Sequence, residues 1–238
     1  RDVVLPCRCQ DNPSSLEQRR RVPMSKQTQE ETVEQKITAL AAKYASELKK
    51  KIADRVEEMK ADDQSHYLIY RVLGITDKEG ELIDVYQNKG RFLYKYAGSF
   101  LEDAAKLCFL ETFPDSKSKR IPNTEGSRPK TFEIDCAVDN DAIEIKWRDA
   151  TTDGDHITKE HTRLKVIKDA GYHPIRVMFY YPNRDQAKKI QDTLETLYAG
   201  LDGEYHYGDE AWNYVEKRTG VDLRRILERI AERNAPQK

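Results

Sequence analysis

Two seven-residue runs, Thr131–Ala137 and Ala142–Arg148, constrain the fold more than any other part of the chain. Each alternates apolar and polar residues with a period of two, the repeat of a strand that lays one face on a core. Between them, Val138-Asp139-Asn140-Asp141 has the composition of a tight turn, so the pair reads as a hairpin. A helical pattern follows over about Ile157–Ala170, opened by Asp155 and stopped by Gly171. His173–Tyr181 is then apolar, β-branched and aromatic, and Pro182 ends it as a strand. Hairpin, helix and strand in this order predict an α/β class, a small mixed β-sheet flanked by helices.

The flanking segments add helices. From about Gln29 to Lys60, the residues Val33, Ile37, Leu40, Tyr44, Leu48, Ile52, Val56 and Met59 recur at steps of three and four. This is the signature of one long amphipathic N-terminal helix, which either packs on the core or supplies a dimer surface; packing is the expected role. Residues 62–97 are aromatic-rich and fit either helix or strand, with turns expected at Gly74 and across Asp77–Gly80. Beyond Gly98 a helix is clear: Leu101, Ala104, Ala105, Cys108 and Phe109 form its apolar face, with Glu102 at the edge. Asp115–Lys130 reads as a basic loop, and helices are expected at about 184–199, 210–218 and 222–232. One domain over 29–238 is expected, its core at about 98–182, preceded by a disordered tail over 1–28. Met24 has the context of a natural start.

Composition narrows the setting. The chain has 41 basic and 42 acidic residues, for a net charge of −1, which excludes a uniformly basic surface but not a basic face. No apolar run approaches the roughly 20 residues of a membrane span. The four cysteines, Cys7, Cys9, Cys108 and Cys136, show no zinc-ligand spacing. His156 and His161, five residues apart, do not share a helical face. Buried or incidental thiols in a soluble cytoplasmic protein are expected.

The hairpin also carries the candidate chemistry. On its first strand Phe132, Ile134 and Cys136 share one face, with Glu133 and Asp135 on the other. On the second strand Ala142, Glu144, Lys146 and Arg148 share the face opposite Ile143, Ile145 and Trp147. Pairing brings Asp135 alongside Glu144 and Lys146. Two carboxylates on adjacent strands suit Mg²⁺, a hard cation that keeps several waters. A neighbouring lysine suits the charge that builds on a phosphate under attack. Charged residues alternating with apolar ones also describe any half-exposed strand, and Glu-x-Lys alone is a weak signal. The preceding helix with Glu102 and the polar segment that follows strengthen it. In that segment Arg148, His156, Lys159, Thr162 and Arg163 are candidate DNA contacts, the last two sharing a helix face with Lys159. Lys119, Arg120 and Arg128 of the basic loop are candidate phosphate contacts.

At Asp135 and Glu144-Ile145-Lys146 the chain resembles the PD-(D/E)XK nucleases, with Ile134 in place of the usual proline. Asp135 through Arg163, including the string Asp153-Gly154-Asp155-His156-Ile157-Thr158-Lys159-Glu160-His161-Thr162-Arg163, resembles the ApaLI-like type II restriction endonucleases. The resemblance runs from about residue 30 to the C-terminus. It implies Mg²⁺-dependent cleavage of both strands of double-stranded DNA at a short palindrome, leaving 5′-phosphates, by a homodimer in a prokaryotic cytoplasm. By motif match Asp135 and Glu144 would hold the metal, Lys146 would assist catalysis, and Glu102 fits an upstream acidic position. A structure-specific repair or recombination nuclease, or a non-catalytic DNA-binding module of the same fold, would share this core.

Overall fold

A computed structural model describes residues 31–148 and 155–235, with only the backbone described at Asp155 and His156. The tail expected over 1–28 lies outside the described residues. The elements are α1 (Val33–Lys60), α2 (Tyr67–Val72), α3 (Asp77–Thr112), β1 (Lys117–Pro122), β2 (Thr131–Val138) and β3 (Asp141–Arg148). They continue with α4 (Asp155–Asp169), β4 (His173–Tyr180), α5 (Asp185–Gly200), β5 (Glu204–Tyr207), α6 (Asp209–Thr219) and α7 (Leu223–Asn234).

Five strands form one mixed sheet in the order β1-β2-β3-β4-β5. The β1–β2–β3 half is antiparallel, as short connections require, and β3–β4–β5 is parallel, each step spanned by a helix. The sheet therefore matches the mixed α/β architecture of a restriction-endonuclease-like fold, with the long N-terminal helix in place. One face packs on α3, α6 and α7 through Ile143, Ile145, Ile175, Val177 and Phe179. The other face packs Phe132, Ile134 and Ala142 against Val166 and Ile167 of α4. Because β3 and β4 are covered on both sides, residues 142–145 of β3 and 174–179 of β4 are buried in unbroken runs rather than alternately.

Three expectations are corrected. Asp77–Gly80 is the first turn of α3, not a loop: Thr76 and Glu79 form a reciprocal capping box, so the helix starts there and runs unbroken through Gly98. The turn lies just before it, where Gly74 has φ +83° and supplies the left-handed residue. The basic loop over 115–130 holds an edge strand, β1, whose first four residues, Lys117 to Arg120, are all exposed and gave no apolar period to read. β5 alternates polar and aromatic residues, but four residues are too few to set a period, and the sequence reading has no strand there.

The long helix packs rather than standing free. Ile37 of α1 is fully buried, Tyr44 donates to Asp103 Oδ2 at 2.6 Å, and Glu34 pairs with Arg229 at 2.6 Å. Cys108 and Cys136 are free thiols inside the core, and burial pushes both up to about 12. Thiolate is the reactive form. In the native protein at pH 8, neither should react with iodoacetamide on the timescale on which both label in denaturant, as peptide mapping by mass spectrometry would reveal. Rapid native labelling of either would contradict this packing.

Candidate active site

The β2–β3 ladder is regular only near its turn, pairing Val138 with Asp141, Ala137 with Ala142 and Cys136 with Ile143. The tight turn is closed by Asp139 at φ +51°, a conformation aspartate tolerates. Beyond Cys136 the ladder stops, and the Ile145 N–H donates to Asp135 Oδ2 at 2.9 Å. On its other side, β2 shifts register against β1 between Lys117–Ala137 and Lys119–Ile134. An extra residue in β2 at this point is a bulge, and it changes which face each side chain takes. Phe132 and Ile134 thus join the α4 cluster, while Cys136 and Val138 join the α3 cluster. The single shared face expected for Phe132, Ile134 and Cys136 is corrected accordingly.

The bulge turns Asp135 toward β3. Lys146 Nζ lies 3.6 Å from Asp135 Oδ2 and in direct contact with Glu144 Oε1. The three residues singled out from the hairpin are therefore together. Behind them is a layer that the sequence reading missed. Arg163 of α4 is buried, grips Glu144 Oε2, donates to the Glu133 carbonyl at 3.1 Å, and pairs with Glu160 Oε1 at 3.0 Å. Glu160 Oε1 also accepts from Arg176 at 3.2 Å and from the Tyr198 hydroxyl at 2.8 Å. Asp135, Glu144 and Glu160 thus face Lys146, Arg163 and Arg176 in a charge-balanced chain from cleft to core.

Electrostatics follow from that layering. Burial pushes the Glu144 carboxyl up, against the pull of Arg163 and Lys146. Burial disfavours the Lys146 ammonium, yet Glu144 and Asp135 outweigh it and hold the group above its ordinary value. Glu160 is buried too, but Arg163, Arg176 and the Tyr198 hydroxyl hold it down to about 2.

A family model for ApaLI-like restriction endonucleases matches residues 24–232 of this chain. The chain belongs to that family. It is accordingly a DNA-binding nuclease, a hydrolase of the restriction-endonuclease class. Neither the curated proteins nor the solved structures searched gave a match. No helix among the described residues is long and apolar enough to cross a membrane.

Within this ApaLI-like fold the remaining candidates are dispersed. Glu102 sits on α3, bonded to Lys106 at 2.5 Å, and has no direct contact with the Asp135–Lys146 group. It lines a cleft of about 300 Å³ with Tyr94, Lys95, Lys146, Trp147 and Arg148, so of that group it shares a cleft with Lys146; Asp135 lines a neighbouring pocket with Lys106, Ser116 and Ser118. Arg148 is exposed, lies over the Tyr94 ring at 5.4 Å, and donates to the Tyr94 hydroxyl at 3.3 Å. Lys119 and Arg120 lie on the edge strand, where Lys119 contacts the Tyr172 hydroxyl and Arg120 pairs with Glu133 at 3.1 Å. Arg128 is exposed in the β1–β2 connection, and Lys159 is exposed on α4 beside the half-buried Thr162. The side chain of His156 lies outside the described residues. Arg163 is the clear correction: its guanidinium is committed to Glu144, Glu160 and a backbone carbonyl, so it does not share the solvent face of Lys159.

Two signals for the hidden layer were present. Arg176 is the lone charge inside an apolar strand, and Glu160 and Arg163 stand three apart on one helix. Removing one member of a buried ion network leaves another uncompensated, at about 3–5 kcal/mol. Glu160→Gln should cost on that order in urea unfolding. Because the folded pKa is depressed, the contribution of Glu160 is complete above its ordinary value of 4.5 and fades as pH falls toward about 2. The wild-type advantage over Glu160→Gln should therefore shrink below pH 4.5; a gap that stays constant down to pH 2 would refute this account.

Proposed function

We propose that this chain is a homodimeric type II restriction endonuclease. On this reading it hydrolyses both strands of double-stranded DNA at a short palindromic site, requires Mg²⁺ and leaves 5′-phosphates. The observation that carries the reading is the convergence of Asp135 and Glu144 on one ammonium, that of Lys146, at a bulge in the strand that supplies Asp135.

Asp135 and Glu144 would hold the metal. Their donor chemistry fits: both are carboxylates, the hard oxygen ligands Mg²⁺ takes, and both reach a common point. Among the described residues, no group of three or more His, Cys, Asp or Glu side chains is arranged for a metal. Two carboxylates suffice for an ion that keeps several waters and shares phosphate oxygens with its substrate. The chemistry such an ion supplies when bound is polarisation of the scissile phosphate and a lowered pKa for the attacking water.

The protein's own groups do the rest. The Ile145 N–H fixes one oxygen of Asp135, and Arg163 fixes one oxygen of Glu144, so both carboxylates are held before substrate arrives. Lys146, beside both carboxylates, orients a water or neutralises charge developing on the phosphate. Glu102 and Arg148 line a cleft together with Lys146, which supports Arg148 as a contact to a flanking phosphate. Lys119, Arg120, Arg128, Lys159, Thr162 and His156 remain candidate contacts further out. A palindromic target read twice calls for two copies related by a twofold axis.

Unmethylated plasmid or phage DNA should yield discrete fragments with Mg²⁺ and remain intact with EDTA. Lys146→Ala and Asp135→Asn should each slow cleavage by about 10²–10⁴-fold, in line with loss of a transition-state contact or a general acid–base group. Sequencing the fragment ends would give the site and the stagger. Intact DNA under every condition, or random degradation that Lys146→Ala leaves unchanged, would overturn the proposal.

A further inference from the structure

The cleft that Lys146 shares with α3 is aromatic as well as charged. Tyr94 and Lys95 come from the middle of α3, Trp147 and Arg148 from the end of β3, and with Glu102 they line a space of about 300 Å³. The Tyr94 and Trp147 rings meet with centroids 5.2 Å apart and a tilt of 59°. Trp147 is half-buried and packs against the core cluster beneath the sheet, which fixes it. Tyr94 is 47% exposed, so nearly half of its surface is left without protein cover.

A flat group already rests on this pair. The Arg148 guanidinium lies 5.4 Å from the centre of the Tyr94 ring and 5.8 Å from that of Trp147, and it donates to the Tyr94 hydroxyl at 3.3 Å. Guanidinium groups and nucleobases stack on aromatic faces in the same manner. Charge points the same way. Lys146 is matched by Asp135 and Glu144, and Glu102 by Lys106 at 2.5 Å. Lys95 and Arg148, on the same walls, have no carboxylate partner among the described residues. Unmatched cations beside exposed rings are the combination that takes a base together with its phosphate.

We infer that this cleft holds one unstacked nucleotide of the DNA, its base against Tyr94 and Trp147 and its phosphate on Arg148 and Lys95. The inference rests on the nuclease reading above and names what the cleft beside Lys146 takes. Within a duplex both faces of a base are covered by its neighbours, so a base lying on an aromatic ring has left the stack. The ring then replaces one stacking neighbour by another. Size agrees: about 300 Å³ is at the small end of ligand pockets, with room for one nucleotide but not for a base pair and its two backbones. Position agrees as well. Lys146 and Arg148 stand two residues apart on β3, about 7 Å along the strand, which puts this nucleotide immediately beside the phosphate at Lys146.

Two titrations of the full chain test the inference. In EDTA, deoxyadenosine 5′-monophosphate should quench the tryptophan fluorescence saturably. Trp147→Phe should remove the quench, because the other tryptophan, Trp212, is buried beside Phe179. Tyr94→Ala should weaken binding by about 5- to 150-fold, the loss of one base–aromatic stack. Tyr94 is exposed, so this variant should keep the wild-type circular dichroism. On wild type alone, ribose 5-phosphate separates a base site from a phosphate site: it should compete poorly. Once the cut site is sequenced, duplexes with an abasic site opposite each flanking base in turn, in Ca²⁺, should bind more tightly at one position, where unpairing is already done. Tyr94→Ala should lose that gain.

An absent quench, equal competition by ribose 5-phosphate, or a Tyr94→Ala variant that binds as wild type does would overturn the inference. So would duplexes that all bind alike. Nucleotide binding by a protein that never cuts DNA would leave the cleft's ligand standing and sink the nuclease reading; cleavage without nucleotide binding would do the reverse.

Discussion

Everything at this site rests on the guanidinium of Arg163. It is buried between two carboxylates, Glu144 on the cleft side and Glu160 on the core side, and it also reaches the Glu133 carbonyl of β2. One rigid, planar group therefore ties β2, β3 and α4 together through three acceptors. A buried cation costs several kcal/mol of desolvation unless its partners are in place. Here the partners hold it protonated, and Arg176 and Tyr198 in turn hold Glu160. The carboxylate at the front of this chain, Glu144, consequently has one oxygen fixed and one left facing Lys146. That division of labour fits a group that must be in position before its ligand arrives, since a preorganised carboxylate loses less freedom on binding.

The bulge in β2 does complementary work on the other carboxylate. A regular hairpin would have paired Ile145 with the β2 backbone and left Asp135 pointing along the face of its neighbours. With one extra residue, the side chain of Asp135 takes the Ile145 N–H that the ladder no longer uses. The backbone donor is satisfied and the aspartate gains a fixed orientation from the same hydrogen bond. Asp135 and Glu144 thus converge by two different devices, one a strand irregularity and the other an arginine from across the sheet.

Much of this was legible from residues alone. Period-two alternation located both hairpin strands to within a residue, and Gly171 and Pro182 marked the ends of α4 and β4. Asp135, Glu144 and Lys146 were picked out as one group because hairpin pairing is a local rule. What escaped were features set by contacts distant in sequence. The bulge leaves no composition signal, since neither glycine nor proline marks it at Asp135 and Cys136. Arg163 was read as a solvent-facing contact because polarity on a helix next to a polar segment suggests exposure. Only the carboxylates of Glu144, 19 residues earlier, and Glu160 make its burial affordable. The edge strand β1 hid for the converse reason: it has one buried residue, Ile121, so it carries no hydrophobic period.

Helix α3 shows how one long element can serve three tasks at different stations along its length. Its last three turns anchor the sheet, its middle lines the cleft through Tyr94, Gly98 and Glu102, and its first four turns extend past the core. A helix of 36 residues is far longer than the three turns typical of globular proteins, and its first half buries only Gly80 and Phe92. The overhang has a cost, because exposed apolar side chains invite aggregation. Part of that cost is offset by α1 and α2, which cover the side of the overhang carrying Gly80, Asp84, Asn88 and Phe92. The same rod is therefore braced from one side where it leaves the sheet, and that bracing holds steady the stretch from Tyr94 to Glu102 that lines the cleft with Lys146.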